Sequence, residues 1–276
     1  MKPGIIRTAA RVLRRRPALL CFPALGLLTV AAVPALAWFP LLQGVWHRLE
    51  DGGAPGPAQW GAVALVLWGA SALGGLCTAA LLHSVHELLE GRRPPLRASL
   101  SAIGRRLPTL LAWSLFSLLV GSVLRTGESL AGLATLFDLL GFSWSLLTFF
   151  VLPVIVVEGV GLLAGLRRSL ALGRHALGRW VVGGLRLFLV TTMVALGALA
   201  ALMLAVESDS ASVLLASLAA AAAVLLPVAV ARSAASGIYR VSLYRETVAS
   251  VAASDAASAA LADAHAAVPA TGRGGR

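Results

Sequence analysis

Six apolar stretches, separated by polar segments, dominate the pattern of the chain. They cover residues 19–43, 59–83, 108–124, 135–157, 181–206 and 212–236. Each approaches or exceeds the roughly 20 residues that a helix needs to cross the hydrocarbon core of a bilayer. The pattern therefore predicts an all-α protein whose fold is a bundle of six transmembrane helices.

The polar segments alternate in charge. Arginines cluster at the N-terminus, at 92–106, at 167–186 and from Arg232 to the C-terminus, whereas the other gaps hold mainly carboxylates such as Glu50 and Glu207. Cationic segments resist translocation and stay in the cytoplasm. The alternation therefore predicts that both termini are cytoplasmic. Abundant alanine, and Lys2 as the only lysine, indicate a high-GC bacterium and hence a bacterial inner membrane.

The composition fits this class. Hydrophobic residues make up 58% of the 276 positions and charged residues 13%, against roughly 25% charged in an ordinary soluble domain. Because the net charge of +11 follows the topology, anionic lipids are better partners for it than nucleic acid. Cys21 and Cys77 lie within predicted membrane helices, so no disulfide framework or zinc site is expected. No cofactor is expected either.

Three of the basic segments have helical periodicity, and each precedes an outward and an inward membrane helix. In the second, Leu96, Leu100, Ile103 and Leu107 lie opposite Arg97, Ser101 and Arg105; in the third, Leu162, Leu166, Leu170, Leu177 and Trp180 form one stripe. The spacing predicts amphipathic helices at the cytoplasmic interface and a three-fold repeat. The head-group contacts are predicted at Arg14, Arg105, Arg167, Arg174 and Arg179. Alternatively, these segments are short cytoplasmic helices that cap the bundle.

Prolines mark matching positions in two of the predicted units. Pro153 and Pro227 lie at similar depths in the fourth and sixth stretches, and both are predicted to kink their helices. Glu158 and Arg232 each follow five positions later. Because a carboxylate at the membrane boundary is costly unless paired, we expect Glu158 to pair with Arg232, or else with Arg167 or Arg168. The alternative is a solvated carboxylate.

A second polar group lies where the second stretch ends. His83, His86, Glu87 and Glu90 follow i, i+3, i+4, i+7 spacing and share one helix face. Imidazole and carboxylate groups so arranged could hold Zn²⁺ or relay a proton, which makes them weak metal candidates. One helix face rarely completes a site, so a polar helix end that emerges into the cytosol is the default interpretation.

The two ends of the chain differ in character. The sequence Ala35-Leu36-Ala37 resembles a signal-peptide cleavage site, but the apolar run continues beyond it, so we expect an uncleaved first membrane helix. The first 245 residues are predicted to form the membrane domain. Residues 246–276 are rich in alanine and serine and lack a face able to dock, so a fraying, disordered tail is predicted.

The segment from Phe149 to Arg179 resembles a pattern of uncharacterised bacterial six-helix membrane proteins. In that pattern a proline is followed by an apolar run, Glu-Gly and, about nine residues later, Arg-Ser; here these are Pro153, Glu158, Gly159, Arg168 and Ser169. The pattern is also similar to the membrane domain fused to some glycerophosphodiester phosphodiesterases. The resemblance implies architecture and location. These families have no assigned activity, and the phosphodiesterase chemistry belongs to a soluble domain that this sequence lacks.

Three classes of function are consistent with these patterns. The preferred one is a non-enzymatic integral membrane protein that organises anionic lipid or a protein partner at the inner leaflet. The alternative is a small transporter or permease subunit with a cavity gated by Glu158. An intramembrane enzyme, with His83 and Glu87 converging on groups from another helix, is a distant third. A polar cavity at mid-membrane depth would favour transport.

Overall fold

Helices make up the described part of the chain, which in the computed structural model covers residues 17–37, 43–50, 56–92, 95–128, 134–206 and 211–267. A short 3₁₀ turn, Pro17–Leu20, leads into the nine helices of these described ranges: α1 Cys21–Ala37, α2 Gln43–Glu50, α3 Pro57–Leu89, α4 Leu96–Gly104, α5 Leu107–Glu128, α6 Ala134–Thr148, α7 Val151–Glu158, α8 Leu162–Val206 and α9 Ala211–Ala267. No strand occurs within these ranges. The predicted all-α class is confirmed.

In the described ranges, helices of successive apolar stretches pack against each other: α1 with α3, α5 with α6, and α8 with α9. In the first pair the backbones approach closely through glycine. A Cβ atom added to Gly26 would lie 3.2 Å from the Cβ atom of Cys77, and one added to Gly74 would lie 2.8 Å from Val30. Small residues at such crossings allow membrane helices to pack at short range. Cys21 and Cys77 are both free thiols.

Within the described ranges, four helical segments are long and apolar enough to cross a membrane: Pro17–Ala37, Pro57–Leu89, Leu107–Gly127 and Ser212–Leu261. The predicted fifth stretch lies within the 45-residue helix α8, and Thr191–Ala200 is an apolar segment of this helix. The predicted fourth stretch is not one helix. It is divided between α6, of 15 residues, and α7, of 8 residues.

The break between α6 and α7 lies at Phe149 and Phe150, before Pro153. Proline has no N–H group and is tolerated in the first turn of a helix, where no such donor is needed. Pro153 takes this position in α7. The prediction that Pro153 kinks a continuous helix is therefore wrong, whereas Pro227 does lie inside the continuous α9. The two prolines are not structural equivalents.

The predicted amphipathic segments have three different outcomes. Residues 1–16, including Arg14, lie outside the described residues. The second segment forms the separate helix α4, and the third is the first part of the continuous α8. In α4 the buried residues are Ser99 and Ile103, while Leu100 is 55% exposed. The predicted stripe is therefore wrong at Leu100, because the pattern counted every leucine as inward-facing and every serine as outward-facing.

The same shift occurs at the start of α8. Ser169 and Leu172 are buried, whereas Leu170 of the predicted stripe is exposed. Leu162 and Leu166 do pack against the core, as the stripe requires. A hydroxyl group that finds an acceptor can be buried at little cost, and this displaces the inward face by about one residue. Leu177 and Trp180 have side chains outside the described set.

The core lies where most of the arginines are. We call this the basic end: the start of α1, α5 and α8, the end of α6 with the turn that follows it, all of α4 and α7, and the stretch of α3 and α9 beside them. Fully buried residues of both hydrophobic clusters come from these parts, including Leu82, Val85, Phe150, Ile155 and Leu172. The opposite end, formed by the other halves of the long helices, carries exposed leucines and valines.

Helix α9 continues past the predicted domain boundary at residue 245. Thr247 is buried, and Val248 and Val251 pack against the second hydrophobic cluster. The prediction of a tail without a docking face is wrong for this part. From residue 252 to Leu261 the helix is exposed on all sides, and residues 268–276 lie outside the described residues.

Candidate functional site

Glu158, the last residue of α7, is the centre of a polar cluster at the basic end. The hydroxyl of Tyr244 on α9 donates a hydrogen bond of 2.7 Å to its Oε1 atom. The Nε atom of Arg168 on α8 lies 3.4 Å from the same oxygen. The carboxylate thus joins three helices. The structure gives it Arg168 as ion-pair partner, one of the pairings that the sequence left open; within the described residues Arg232 and Arg167 make no such contact.

Gly159 ends α7 in a conformation that side chains disfavour. Its φ is 71°, in the left-handed region, and its N–H group donates to the carbonyl of Ile155 at 3.2 Å. Nη1 of Arg106 donates to the same carbonyl at 2.9 Å. A glycine in this conformation and a cation at the carboxyl end are two recurrent ways to satisfy the last carbonyls of a helix. In the Glu-Gly pair of the sequence pattern, Glu158 is thus the last residue of α7 and Gly159 ends the helix.

Sequence reasoning did not identify Arg106. It stands in the turn between α4 and α5, and its contact with Ile155 spans 49 positions of the chain. Burial, and to a smaller extent the neighbouring Arg105, lower the pKa of Arg106. Local periodicity carries no signal for such a long-range contact.

Two buried serines fix the amphipathic segments to the preceding membrane helices. The hydroxyls of Ser84 on α3 and Ser99 on α4 are 2.8 Å apart, and Ser84 also donates to the carbonyl of Ala80. Ser169 on α8 donates to the carbonyl of Leu147 on α6. Ser99 thus bonds to the helix directly before its segment, and Ser169 to the first of the two helices that divide the fourth stretch. These contacts fix the basic segments to the protein.

Three members of the histidine and carboxylate group at the end of α3, namely His86, Glu87 and Glu90, are held by pairs within the protein. Nε2 of His86 lies 3.0 Å from Oε1 of Glu90, and Nη2 of Arg92 donates to Glu87 at 2.9 Å and also binds Glu90. Arg245 on α9 approaches the carbonyl of His86 at 3.5 Å. Within the described residues no group of three or more histidines, cysteines or carboxylates could hold a metal ion. The arrangement ties the end of α3 to the following turn and to α9.

Three predicted head-group residues are exposed at the basic end: Arg105, Arg167 and Arg174. Exposed leucines stand beside them, with Leu163 72% exposed and Leu100 and Leu170 also accessible. Arg14 lies outside the described residues, as does the side chain of Arg179. The described part of this surface therefore combines guanidinium groups with apolar side chains, as expected at the boundary of a bilayer.

A groove of about 460 Å³ lies between α1, α3 and α9. Its lining comprises Pro23, Gly26, Leu27, Val30, Leu67, Ala70, Ser71, Gly74, Cys77, Thr78 and Ser233. The Thr78 hydroxyl donates to the Gly74 carbonyl at 2.9 Å. The lining contains no charged side chain. Its wall is apolar except for the hydroxyl groups of Ser71, Thr78 and Ser233.

One family is similar to this chain. The sequence profile of DUF6159, described as a family of unknown function, matches residues 71–254. The match begins within α3 and ends within α9, so it includes Glu158, Arg168, Tyr244 and both buried serine contacts. No curated protein and no solved structure is significantly similar.

Proposed function

We propose that this chain, which belongs to the DUF6159 family of unknown function, is a non-enzymatic integral membrane protein that organises anionic lipid at the inner leaflet of a bacterial membrane. Four described segments are long and apolar enough to cross a bilayer. The proposal adds two further crossings through α6–α7 and α8, with both termini on the cytoplasmic side.

The observation that carries the proposal is the surface of the basic end. Arg105, Arg167 and Arg174 are exposed there beside the exposed leucines of α4 and α8. A guanidinium near an anionic surface contributes about 1 kcal/mol of attraction. Apolar neighbours allow the arginine stems to lie along the lipid while the charged heads reach the phosphates. The rigid attachment of α4 and α8 through Ser99 and Ser169 would hold these groups at one depth.

The three helix pairs support a proposed repeat of a basic segment followed by two membrane helices. The similar serine contacts of the second and third units are in line with this. Pro153 and Pro227, on the other hand, occupy different structural positions, so the repeat is one of arrangement and not of detail. A protein partner at the same surface is the other form of the proposal.

Transport and catalysis have weaker support. Glu158, the proposed gate, is bound by Tyr244 and Arg168 at the basic end, away from the apolar groove. Of His83 and Glu87, the residues proposed for catalysis, Glu87 is engaged by Arg92. A transporter or permease subunit would need a polar path across the bilayer, and no described cavity provides one.

Lipid enrichment in nanodiscs tests the proposal. The full-length protein would be reconstituted with a mixture of phosphatidylcholine and phosphatidylglycerol, and the lipid retained after extraction into mild detergent would be quantified by mass spectrometry. We expect enrichment of phosphatidylglycerol. The combined variant Arg105→Gln, Arg167→Gln, Arg174→Gln should reduce it by at least about fivefold, given the attraction expected per guanidinium.

The matched control is Arg125→Gln, which removes one exposed arginine from the opposite end. Its enrichment should equal that of the parent protein. Equal enrichment in the triple variant would overturn the lipid role and leave a protein partner as the form to pursue. Uptake of a solute into sealed vesicles that contain the protein would instead support the transporter.

A further inference from the structure

Arg240 is a mostly buried cation that the contacts described so far do not explain. It lies on α9 one turn before Tyr244, and its Cζ atom lies 5.2 Å from the centre of the Phe149 ring. Its Nε atom has no exposed surface and no hydrogen-bond partner. Phe149 belongs to the turn between α6 and α7, so the guanidinium lies against the break that interrupts the fourth apolar stretch.

No described carboxylate compensates this charge. The carboxylate of Glu158 is engaged by Tyr244, which lies one turn after Arg240 on α9, and its ion-pair partner is Arg168. A buried charge without a partner is costly. The Nε–H group adds to this cost, because it forms a hydrogen bond neither to water nor to the protein. The face of an aromatic ring offsets part of it, since the ring quadrupole attracts a guanidinium, but it accepts no hydrogen bond in the plane of the group. The geometry therefore calls for an anion from outside the described residues.

The position of Arg240 indicates which anion it meets. The residue follows the predicted membrane stretch 212–236 by about one turn and belongs to the basic end. At this depth in a bilayer the abundant anions are the phosphates of lipid head groups. A planar guanidinium matches a phosphate with two parallel N–H donors, which a point charge such as lysine cannot do.

We propose that Arg240, supported by the Phe149 ring, binds the phosphate of one anionic phospholipid at the turn between α6 and α7. This inference rests on the proposed lipid role and makes it specific, because it adds one saturable site to the general attraction of the exposed arginines. The lipid phosphate neutralises the charge through the part of the guanidinium that remains accessible, since Nε itself is enclosed, and its acyl chains lie along the exposed apolar side chains of the helices. Inorganic phosphate shares the head-group chemistry but lacks these chains.

Thermal unfolding of the purified full-length protein in a neutral detergent tests the site. The probes are short-chain phosphatidylglycerol, short-chain phosphatidylcholine and inorganic phosphate, each titrated to saturation. For the parent protein we expect phosphatidylglycerol to raise Tm by several degrees, and both other probes to raise it much less. An equal rise with inorganic phosphate would overturn the assignment to lipid.

Substitution of Arg240 should affect Tm in opposite ways without and with phosphatidylglycerol. Without added lipid, Arg240→Gln should have a Tm equal to or above that of the parent, because the uncompensated charge is gone. With phosphatidylglycerol it should gain little. Arg240→Lys should keep a fraction of the gain, and the matched control Arg232→Gln, an exposed arginine two turns earlier on α9, should gain as the parent does.

A full phosphatidylglycerol response in Arg240→Gln would overturn the proposal. Should that variant fail to fold, Phe149→Leu retains the arginine, and we expect it to weaken the apparent affinity for phosphatidylglycerol several-fold; an unchanged affinity counts against the site. Failure here is distinct from failure of the proposed function. The triple variant of the exposed arginines lowers general enrichment, whereas Arg240→Gln removes one tightly held lipid in native mass spectrometry.

Discussion

The basic end and the opposite end of this bundle are stabilised in different ways. At the basic end, side chains such as Phe150 and Leu82 are fully buried, and hydroxyls and arginines connect neighbouring helices. At the opposite end, Leu36 is 77% exposed and Leu215 is 67% exposed. Lipid tails are as apolar as leucine, so a membrane exerts no hydrophobic force to bring such surfaces together. Specific packing is therefore concentrated at the basic end.

Truncation of a buried aromatic ring should give the largest difference between the ends. Phe150→Ala removes a ring that is 1% exposed and contacts Phe149 and Tyr244. Loss of a packed aromatic side chain costs about 3 kcal/mol of unfolding free energy. Leu215→Ala at the opposite end should cost below about 0.5 kcal/mol. Titration with sodium dodecyl sulfate in mixed micelles, followed by circular dichroism, measures both, and equal losses would refute the contrast.

Two glycine substitutions should have effects of opposite sign. A Cβ atom at Gly237 would lie 2.7 Å from Leu81, which is 1% exposed and has no room to move. Overpacking of this kind costs about 2 kcal/mol. At Gly197, on the opposite half of α8, a Cβ atom meets nothing within 4 Å. Because alanine favours the helix, Gly197→Ala should stabilise by about 0.5 to 1 kcal/mol. The same titration checks the signs.

The turn after α7 should be sensitive to one methyl group. Gly159→Ala places a side chain at φ 71° and within 3.2 Å of Arg106, for an expected cost of about 1.5 kcal/mol. Gly161→Ala is the matched control two residues away, since its φ is not positive and its Cβ atom would be unobstructed. Hydrogen exchange at the end of α7 should rise in the first variant only. Similar exchange in both would show that the left-handed turn is not needed.

The contact between Tyr244 and Glu158 should have the smallest effect of the four. Tyr244→Phe removes one hydrogen bond to a half-buried carboxylate, and we expect a cost of about 1 kcal/mol. Arg232→Gln, on the same helix but without a described contact to Glu158, should be neutral. Unfolding titrations of the two variants and of the double variant separate the contributions. A loss from Arg232→Gln as large as that from Tyr244→Phe would contradict the assigned partners.

Hydropathy predicted the helical class and much of the membrane region, because both follow from local composition. It could not predict the break at Phe149–Phe150, since those residues are as apolar as their neighbours and a proline alone does not end a helix, as the continuous α9 around Pro227 shows. The continuity of α8 was missed for a related reason. An arginine-rich segment and the apolar segment after it can belong to one helix, because arginine is compatible with helical structure and does not end it.

The polar contacts were less predictable. Glu158 could be selected because a carboxylate at a membrane boundary needs a partner, and Arg168 was among the three named. Tyr244 is 86 positions away along the chain, and nothing in its local sequence indicates that it faces Glu158. Ser99 and Ser169 were not assigned to an inward face, because the amphipathic patterns placed only apolar residues and Trp180 there. Such patterns fail where two helices exchange a hydrogen bond in the core.

Helix α9 is longer than its packing against the other helices requires, and its length determines how far its end lies from the core. Its 57 residues extend about 85 Å at roughly 1.5 Å per residue, nearly three times the hydrocarbon thickness of about 30 Å. The part after Val251 leaves the core, and its exposed stretch from residue 252 to Leu261 covers about 15 Å. A side chain near Leu261 is therefore held on a stalk, about 15 Å from the last residue that packs against the core.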